Sequence, residues 1–564
     1  MREEIHNNSN GRARLAGKAM AVAMAGALWG GNALAFEFDT GNPDVSIRWD
    51  NTVRYNLGVR VENRDSKIGN YVVSDEGTYS FDRGDAVTNR LDLLSELDFV
   101  YKQRYGFRVS GAGWYDAAYG DNSKTNPNPP LSSIPSYINK KYTPYTKRYY
   151  SGPSGELLDA FVFGKFDLGP VPTTVKAGRL SLYWGESLFL SGNLHGIAYA
   201  QNPLDLQKGF ATPGSEAKEL FRPLAQITGS AQVSDTVSVA AQYFFQWEEF
   251  RYPEGGTYTG PVDFTFNGPQ RQFLSAPLGF AANGTPSEPS QYGEWGVSAR
   301  WSPEWLDGTL GLYYRNFADK LPQTLLTTVG PNRSVYQLIY KDNIDLFGVS
   351  FAKQIAGVSV GAELSYRHNT PLNSTVLGNA SAAGPVKSGT TPGAVGDTYH
   401  GLANVIGILP RTPVFDTATW ALEAVWSQWA SVKSGQNLFF AEGYAPCNGR
   451  TKWDGCTTKN FYGVAASFTP TWFQVFPGVD LSAPLTVSSG LYGNAPTVFG
   501  GNQANGNYTI GVGADIYQKY RIDLKYIDWF GRYKDNGTAV TAQNGFTTLL
   551  SDRGFISLTL KTTF

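Results

Sequence analysis

Apolar and polar residues alternate with a period of two in many short segments of the chain. In the segment 44–61, Val53 and Tyr55 share one parity while Arg54 and Asn56 share the other. A β-strand places successive side chains on opposite faces, so each such segment is predicted to be a strand with one apolar and one polar face. Because the pattern recurs along nearly the whole chain, the sequence predicts an all-β protein.

The alternation predicts eighteen strands, with sixteen as the alternative count. Their boundaries are uncertain by about two to four residues. The predicted strands are 44–61, 90–103, 106–118, 156–168, 172–184, 224–233, 236–250, 292–302, 309–317, 344–354, 357–367, 418–430, 436–442, 461–471, 484–493, 508–518, 520–530 and 553–564.

The connections between these strands alternate between short and long. Short connections include 103–105 and 355–356. This asymmetry is typical of a transmembrane antiparallel β-barrel with short periplasmic turns and long extracellular loops. The long connections include 62–89, 119–155, 185–223, 251–291 and 368–417.

Two features of the strands favour a membrane barrel over a soluble β-sandwich, which also alternates. The polar parity carries charges that a sandwich core would not tolerate but a water-filled lumen would. The apolar parity carries aromatic residues near strand ends, as expected of rings at the membrane interfaces. These aromatic residues are Trp49, Tyr101, Trp247, Trp295, Trp301, Trp420, Trp426 and Trp529.

The first 35 residues read as a secretory signal peptide. Basic residues precede a short apolar stretch, and small residues follow it up to Ala35. Cleavage before Phe36 would leave residues 36–564 as the barrel domain. The alternative is an N-terminal membrane anchor, for which the apolar run is too short. At the other end of the chain, an alternating strand closes with Phe564, which resembles the insertion signal of outer-membrane proteins; the alternative is an ordinary edge strand.

Composition and charge narrow the functional classes. The formal net charge is -1, which excludes a nucleic-acid binder that relies on a basic face. Cys447 and Cys456 are the two cysteines, and both lie in one predicted outer loop, so we expect a disulfide there, with free thiols as the alternative. No histidine or further cysteine lies nearby, so no metal or other cofactor is predicted.

The predicted inner wall carries charges of both signs. Such a mixture predicts weak charge selectivity, because a ring of one sign is needed to select ions of the other. The candidate lumen residues are Arg48, Arg54, Arg60, Glu96, Asp98, Arg300, Glu363, Arg367, Asp523 and Lys525.

The predicted loop 185–223 is unusually apolar for an outer loop. We expect it to fold into the lumen as a constriction or a ligand contact; packing over the barrel rim is the equal alternative. The candidate constriction residues are Phe189, His195, Tyr199, Asp205 and Phe210.

Catalytic motifs are weakly represented. His195, His368 and His400 lie in or beside predicted outer loops, and exposed loop histidines are the simplest interpretation. The chain has no H-E-x-x-H or P-loop pattern. A Ser-His-Asp hydrolase remains open on spacing alone, because such partners are distant in sequence.

Several stretches resemble the proteobacterial outer-membrane domain-of-unknown-function 1302 family over nearly all of the mature chain. The resemblance implies an outer-membrane barrel, often accompanied by a periplasmic partner and by inner-membrane transporters of hydrophobic compounds. No catalytic motif and no site residue come with it. The similar stretches are 36–43 with 48–52, 89–99, 157–169, 178–187, 511–529 and 552–564.

The sequence therefore predicts an outer-membrane channel, not an enzyme, that passes small solutes, with hydrophobic or aromatic ones as candidates. The alternatives are an outer-membrane lipid hydrolase and a structural or adhesive barrel that displays loops. Expected partners are outer-membrane lipid and lipopolysaccharide, the barrel-assembly machinery, a periplasmic protein and an unidentified small solute.

Overall fold

The computed structural model describes residues 36–130, 134–215, 217–275, 279–330, 333–375 and 386–564. The predicted signal peptide, including Ala35, lies outside the described residues. No helix within the described ranges is long and apolar enough to cross a membrane.

Eighteen antiparallel strands form one closed wall, as predicted. Alternating residues favour these strands because each strand has a different environment on its two faces. In chain order the strands are β1 Val45–Arg60, β2 Ala86–Tyr101, β3 Tyr105–Asp116, β4 Ser154–Leu168, β5 Val171–Leu180, β6 Leu224–Gln232, β7 Val237–Phe244, β8 Trp295–Trp301, β9 Gly308–Phe317, β10 Ile344–Ile355, β11 Val358–Pro371, β12 Val395–Leu409, β13 Thr417–Ser434, β14 Asn460–Phe476, β15 Leu485–Tyr492, β16 Gly506–Ile516, β17 Tyr520–Phe530 and β18 Phe555–Thr563.

The first and last strands close the cylinder. β1 pairs with β2 on one side and with β18 on the other, in a register that sets Thr52 opposite Thr563 and Arg60 opposite Phe555. The terminal Phe564 exchanges backbone hydrogen bonds with Asn51, at 2.7 and 2.9 Å. Each wall strand therefore has a partner on both edges, which removes the unpaired backbone that an open sheet would expose to hydrocarbon.

Short turns and long loops lie at opposite ends of the barrel, as predicted. The two-residue turn between β10 and β11 has Ala356 and Gly357 at φ of 49° and 83°, the left-handed pair of a type I′ hairpin. We number the long loops L1 to L9: 61–85, 117–153, 181–223, 245–294, 318–343, 372–394, 435–459, 493–505 and 531–554.

The long loops carry their own secondary structure. L4 and L5 form a four-stranded sheet from Arg271–Ser275, Gly279–Asn283, Gln323–Gly330 and Arg333–Ile339. The short helices are Ser66–Gly69, Asp75–Tyr79, Pro144–Tyr150, Leu190–His195, Leu206–Ala211 and Ala217–Leu220. The 3-10 turns are Ile138–Lys140, Ala445–Cys447, Lys452–Asp454 and Phe546–Leu550, and the remaining short strands are Phe36–Phe38, Val479–Ser482, Tyr533–Asp535 and Val540–Gln543.

One predicted strand is wrong and one real strand was missed. The segment 436–442 lies in L7, where Leu438 and Phe439 are buried against other loops. β12 was assigned instead to the long connection 368–417. Its outward face is weakly apolar because it carries Gly401 and Gly407, and the rings of Trp426 and Trp420 on β13 cover these glycines, which hides the alternation.

The outer face of the wall is apolar on nearly every strand. Large side chains there are exposed, and a patch of this extent needs a hydrocarbon environment. Trp49, Tyr101, Trp295 and Trp301 flank this belt, as predicted. The exposed apolar side chains include Leu93, Val109, Val162, Ile227, Val239, Val297, Leu312, Phe347, Val349, Leu364, Ile510, Val512, Leu524 and Ile556.

Two of the predicted girdle residues face the interior. Trp529 is 3% exposed and stacks on Phe555 at 6.0 Å inside the barrel, and Trp247 is 2% exposed and packs on Tyr340 in the loops. At the loop end, folded loops fill the lumen, so an inward aromatic side chain finds apolar neighbours there. The assumption that inward residues face water therefore fails at this end.

Arginine introduced on the outer face should destabilise the barrel. We expect Leu312→Arg, at the middle of β9, to lower the free energy of unfolding by about 2–4 kcal/mol, because a guanidinium is costly in the bilayer core. Ser359→Arg, which faces the lumen near the short turns, is the matched control and should change it little. Urea titrations of the protein refolded in lipid vesicles measure both, and equal losses would contradict the assignment of the two faces.

Candidate functional site

L3 crosses the lumen and contacts opposite sides of the wall. It leaves β5 after Leu180, runs to β11–β13, and then turns back to β1 and β2 before entering β6 at Leu224. Its three short helices are Leu190–His195, Leu206–Ala211 and Ala217–Leu220. The candidate functional site is the set of contacts that hold this loop in place.

Two wall carboxylates bind backbone N–H groups of L3. Glu423 on β13 accepts hydrogen bonds from the amides of Leu188 at 2.7 Å and Phe189 at 3.2 Å. Glu363 on β11 accepts one from the amide of Ile197 at 2.6 Å and another from the amide of Glu186. Charge-assisted bonds of this kind are about twice as strong as neutral ones.

Two wall guanidinium groups bind carbonyl groups of the same stretch. Arg367 on β11 donates to the carbonyls of Leu194 at 3.1 Å and Gly196 at 3.0 Å. Arg315 on β9 donates to those of Ile197 at 2.8 Å and Tyr199 at 2.7 Å. Asn404 on β12 also donates to the Glu186 carbonyl at 2.6 Å. We call these five wall residues the β9–β13 clamp: Arg315, Glu363, Arg367, Asn404 and Glu423.

A network of ion pairs holds the second half of L3 against the opposite wall. Arg54 on β1 pairs with Glu219 of L3 at 2.6 Å and with Asp92 on β2 at 3.5 Å. Lys208 of L3 pairs with Glu219 at 2.8 Å and with Asp92 at 3.7 Å. These four residues, which we call the β1–β2 clamp, are all buried.

Asp205 joins L3 to L4. Its carboxylate pairs with Arg251 at 3.0 Å and caps a helix by accepting from the Lys208 amide at 2.9 Å. Burial alone would raise the pKa of Asp205, but Arg251 and the Lys208 amide outweigh it and hold the pKa below its ordinary value. Arg251 also pairs with Glu156 on β4 at 2.7 Å, so L4 ties L3 to a third part of the wall.

His195 and His400 form a buried pair between L3 and β12. The His195 Nε2 donates to the Gly500 carbonyl at 2.8 Å, because a carbonyl can only accept. The neutral His195 Nδ1 must then accept from the His400 Nδ1, 3.1 Å away, and the His400 Nε2 accepts from the Thr398 hydroxyl at 2.9 Å. A proton added to His195 Nδ1 would remove the acceptor that joins the two rings.

An apolar cluster surrounds the polar clamps inside the lumen. Tyr199 and Phe210 of L3 contribute to it, and the ring of Phe210 lies 6.3 Å from that of Tyr252. The Tyr199 hydroxyl donates to Asp319 of L5. The buried members of this cluster are Trp184, Leu194, Ile197, Tyr199, Ala200, Leu204, Leu206, Phe250, Tyr252, Phe266, Tyr313, Phe317, Leu321, Ile344 and Leu346.

The ten candidate lumen residues divide by depth. Those toward the loop end are buried against loops, whereas Arg48 and Arg300 near the short turns have side chains 59% and 47% exposed. Among the candidates outside the clamps, Glu96 pairs with Lys218, and Lys525 is half-buried. The other ion pairs are Arg48–Asp50 at 2.7 Å, Arg60–Asp552 at 3.1 Å, Asp98–Arg108 at 2.6 Å, Arg300–Glu186 at 2.9 Å and Asp523–Arg521 at 2.8 Å.

His195 and His400 are buried and are not the exposed loop residues that the sequence suggested, whereas His368, near the loop end of β11, has a side chain that is 42% exposed. His368 and His400 lie on β11 and β12, and His195 is buried. Within the described chain, the polar partners of these rings include Thr398, Asp397 and Lys433, and no serine is among them. The described side chains also form no group of three or more His, Cys, Asp and Glu placed to hold a metal ion.

Other predicted positions lie far from the clamps. Cys447 and Cys456 form a disulfide within L7, with Cα atoms 6.1 Å apart.

At the short-turn end, a cavity of about 660 Å³ reaches Glu186 and Leu188 of L3, so the lumen is hollow below the loop.

The sequence indicated several of the charged residues that face the lumen, but it did not indicate which groups they bind. Glu423 and Arg315 have inward parity, but nothing in the alternation indicates that they bind backbone groups of a distant loop. Asn404 was missed together with β12. Lys208 and Glu219 are ordinary loop charges in the sequence, and only the path of L3 brings them to Arg54.

A side chain at Gly192 should loosen L3. A Cβ there would overlap the carboxylate of Glu423, so we expect Gly192→Ala to weaken docking of L3 by about 1–3 kcal/mol. Gly120→Ala in L2 is the control, since its Cβ would find no atom within 4 Å and it lies outside the cleaved bond. Tryptic cleavage after the buried Lys208 in the folded protein measures docking; equal cleavage of both variants would contradict this interpretation.

Acid should also release L3. Burial lowers the pKa of His195 from 6.5 to about 4. The undocked state then binds more protons, so docking weakens as the pH falls from about 6.5 toward 4, by about 3 kcal/mol in total. Groups facing this ring include His400 and Arg367, and Glu423 binds the amide of Leu188 just before the helix that carries His195.

The measurement is hydrogen exchange of residues 190–197, corrected for intrinsic rates, between pH 7 and pH 4. His195→Gln keeps a donor for the Gly500 carbonyl but does not titrate, so its profile should be flatter than that of the wild type. Identical profiles would exclude His195 as the source of the effect, because Glu363 and Glu423 remain in both proteins.

Comparisons with known proteins give one family match and several similar folds. The chain is similar to the crystal structure of Acinetobacter baumannii OccAB4, with 9% identity and a TM-score of 0.40 over 92% of this chain and 98% of that chain. It is similar to Pseudomonas aeruginosa OpdK with vanillate, with 10% identity and a TM-score of 0.38 over 92% and 98%. It is also similar to the crystal structure of a BenF-like porin from Pseudomonas fluorescens Pf-5, with 9% identity and a TM-score of 0.39 over 94% of this chain and 99% of that chain.

No curated protein matches the sequence. The family model DUF1302, whose description is "Protein of unknown function", matches residues 16–564, nearly the whole chain. The chain therefore belongs to the DUF1302 family.

Proposed function

We propose that the protein is an outer-membrane channel for small solutes and that L3 is the barrier across its lumen. The observation that carries this proposal is that two clamps on opposite walls hold one loop across the interior. In this orientation the short turns face the periplasm and the long loops face the outside, as in other outer-membrane barrels. Export by the predicted signal peptide, residues 1–35, belongs to the same proposal.

The hollow part of the lumen supports a conduit. Cavities of about 660 and 670 Å³ lie near the short turns, and the wall there carries hydroxyl groups and charges of both signs. A barrel with a purely structural role would not need a wide polar space that ends at one loop. The mixed charges predict weak selectivity between small anions and cations.

The chemistry of the clamps supports a barrier that can open. The side chains of the β9–β13 clamp bind backbone groups of L3 through hydrogen bonds, and water can replace every one of these partners when this half of the loop leaves. Exchange of protein partners for water costs only about 0.5–1.5 kcal/mol for each neutral bond and about 1.5–3 kcal/mol for each bond to a charged group. Undocking therefore needs no unfolding of the wall.

The apolar cluster around L3 supports hydrophobic or aromatic solutes as candidates. Tyr199, Phe250, Tyr252 and Phe317 lie where a channel for ions alone would need polar side chains. A solute with an apolar surface could replace some of these contacts as the loop moves. Lipopolysaccharide, outer-membrane lipid, the barrel-assembly machinery and a periplasmic protein remain the proposed partners.

A structural barrel that displays loops is the second candidate. One observation favours it: loops fill the lumen at the long-loop end, where Arg60, Arg315 and Arg367 are almost completely buried. The two functions differ in what happens when the β9–β13 clamp is weakened.

Conductance in planar lipid bilayers tests the proposal. We expect Glu423→Ala to raise the open probability of the purified full chain, because the amides of Leu188 and Phe189 lose their acceptor. A loss of about 1–2 kcal/mol in docking would shift the closed-to-open ratio by about 5–30-fold. Glu304→Ala, which removes a carboxylate near the short turns, should behave like the wild type.

A barrel that stays silent with Glu423→Ala, while the tryptic assay shows that L3 is released, would overturn the channel and favour the structural barrel. Liposome swelling with solutes of different size and polarity then ranks the permeant classes for an active variant.

A further inference from the structure

A smaller cavity of about 250 Å³ lies beneath L3, between the loop and strands β5–β9. Leu182 and Trp184 of L3 and Tyr313 of β9 form its apolar side, and the rings of Trp184 and Tyr313 are 6.1 Å apart. The facing wall is lined with hydroxyl groups. The hydroxyl residues are Thr174, Thr228, Ser230, Ser238 and Ser298.

Two cations line the same cavity. Arg300 is neutralised by Glu186 at 2.9 Å. Within the described chain, the Lys176 side chain forms no hydrogen bond or ion pair, and its Nζ lies 5.6 Å from the centroid of the Phe161 ring. The cavity therefore combines an apolar wall, a hydroxyl wall and one positive charge that the protein does not neutralise.

The path into this cavity is also positive. It shares Thr174, Ser230 and Ser238 with the vestibule of about 670 Å³ at the short-turn end. Lys165 lies on this vestibule and likewise pairs with no carboxylate in the described chain, whereas Lys102 and Arg104 there pair with carboxylates at 3.8 and 3.5 Å. An anion that enters from this end meets favourable potential before it reaches Lys176.

We propose that the cavity binds a small carboxylate with an apolar body, such as an aromatic or branched monocarboxylate, directly below L3. The carboxylate accepts from Lys176 and the hydroxyl groups, and the apolar body packs against Trp184, Leu182 and Tyr313. The volume limits the ligand, since 250 Å³ is slightly below the usual range of about 300–1,000 Å³ for small-molecule pockets. This proposal rests on the proposed channel and names the class of solute that binds in the lumen directly below L3.

Other solute classes fit less well. Inorganic phosphate would leave the Trp184 side unfilled, and a neutral sugar would leave Lys176 without a partner. An organic cation would lie beside an unneutralised ammonium group and would be repelled. The geometry therefore selects both the charge and the apolar surface of the ligand.

Isothermal titration calorimetry of the full chain in detergent tests the site without any need for an open channel. Benzoate is the probe; benzyl alcohol has the same ring without the charge, and acetate has the charge without the ring. We expect benzoate to bind at least about tenfold more tightly than either, because only benzoate satisfies both walls. Titrations into detergent alone correct for partition of the probes.

Variants locate the binding. Lys176→Gln should weaken benzoate binding by about tenfold through loss of a charge-assisted bond. Lys353→Gln removes a lumen lysine that donates to the Leu306 carbonyl outside this cavity, and it should leave binding unchanged. Ala240→Leu, which projects a larger side chain into the cavity, should abolish binding while the barrel still folds, as judged by its heat-modifiable migration.

Three results would overturn the proposal: no benzoate heat at millimolar concentration, equal binding of benzoate and benzyl alcohol, or equal loss in Lys176→Gln and Lys353→Gln. None of these depends on conductance. If the protein binds benzoate but never conducts, the binding site stands and the proposed channel is refuted. If the protein conducts but does not bind benzoate, the channel stands and the binding site is refuted.

Discussion

A backbone amide that leaves water needs another hydrogen-bond partner, and this requirement shapes both the wall and its contents. In the wall it is met by strand pairing, which must close because hydrocarbon offers no alternative partner. In the lumen it is met by side chains: Glu363 and Glu423 accept from N–H groups of L3, and Arg315 and Arg367 donate to its carbonyls. An irregular loop can cross the barrel only because the wall supplies these partners.

The same requirement explains where the charges are. Only 17% of the residues are charged, because the outer face of the wall must be apolar. The charges that remain inside mostly neutralise one another between elements that are distant in the sequence, as Arg54 does with Glu219 and Arg251 with Asp205. A mixed inner wall is therefore chiefly a surface that holds loops. Lys165 and Lys176 differ, because neither forms an ion pair within the described chain.

The sequence pattern predicted the wall well and its interior poorly. The period-two rule contrasts an apolar outer face with a wet inner face. It holds near the short turns, as on β8, where the outward Val297 is exposed and the inward Arg300 side chain is 47% exposed. It fails for β12, whose outward Gly401 and Gly407 are covered by tryptophans of the next strand, and for Trp529, which points into a lumen packed with loops. In both cases a neighbouring side chain, not the solvent, defines the environment.

The sequence by itself determined the fold class, the strand number, the alternation of turns and loops, and the parity of residues such as Glu363 and Arg367. These properties follow from the contrast between lipid and water, which acts on each residue locally. Only the tertiary structure decided that L3 lies across the lumen, that His195 meets His400, and which cavity remains beneath the loop. Such contacts join residues more than 200 positions apart in the sequence. Their energy depends on shape and on the geometry of the partners, which leave no periodic signal in the sequence.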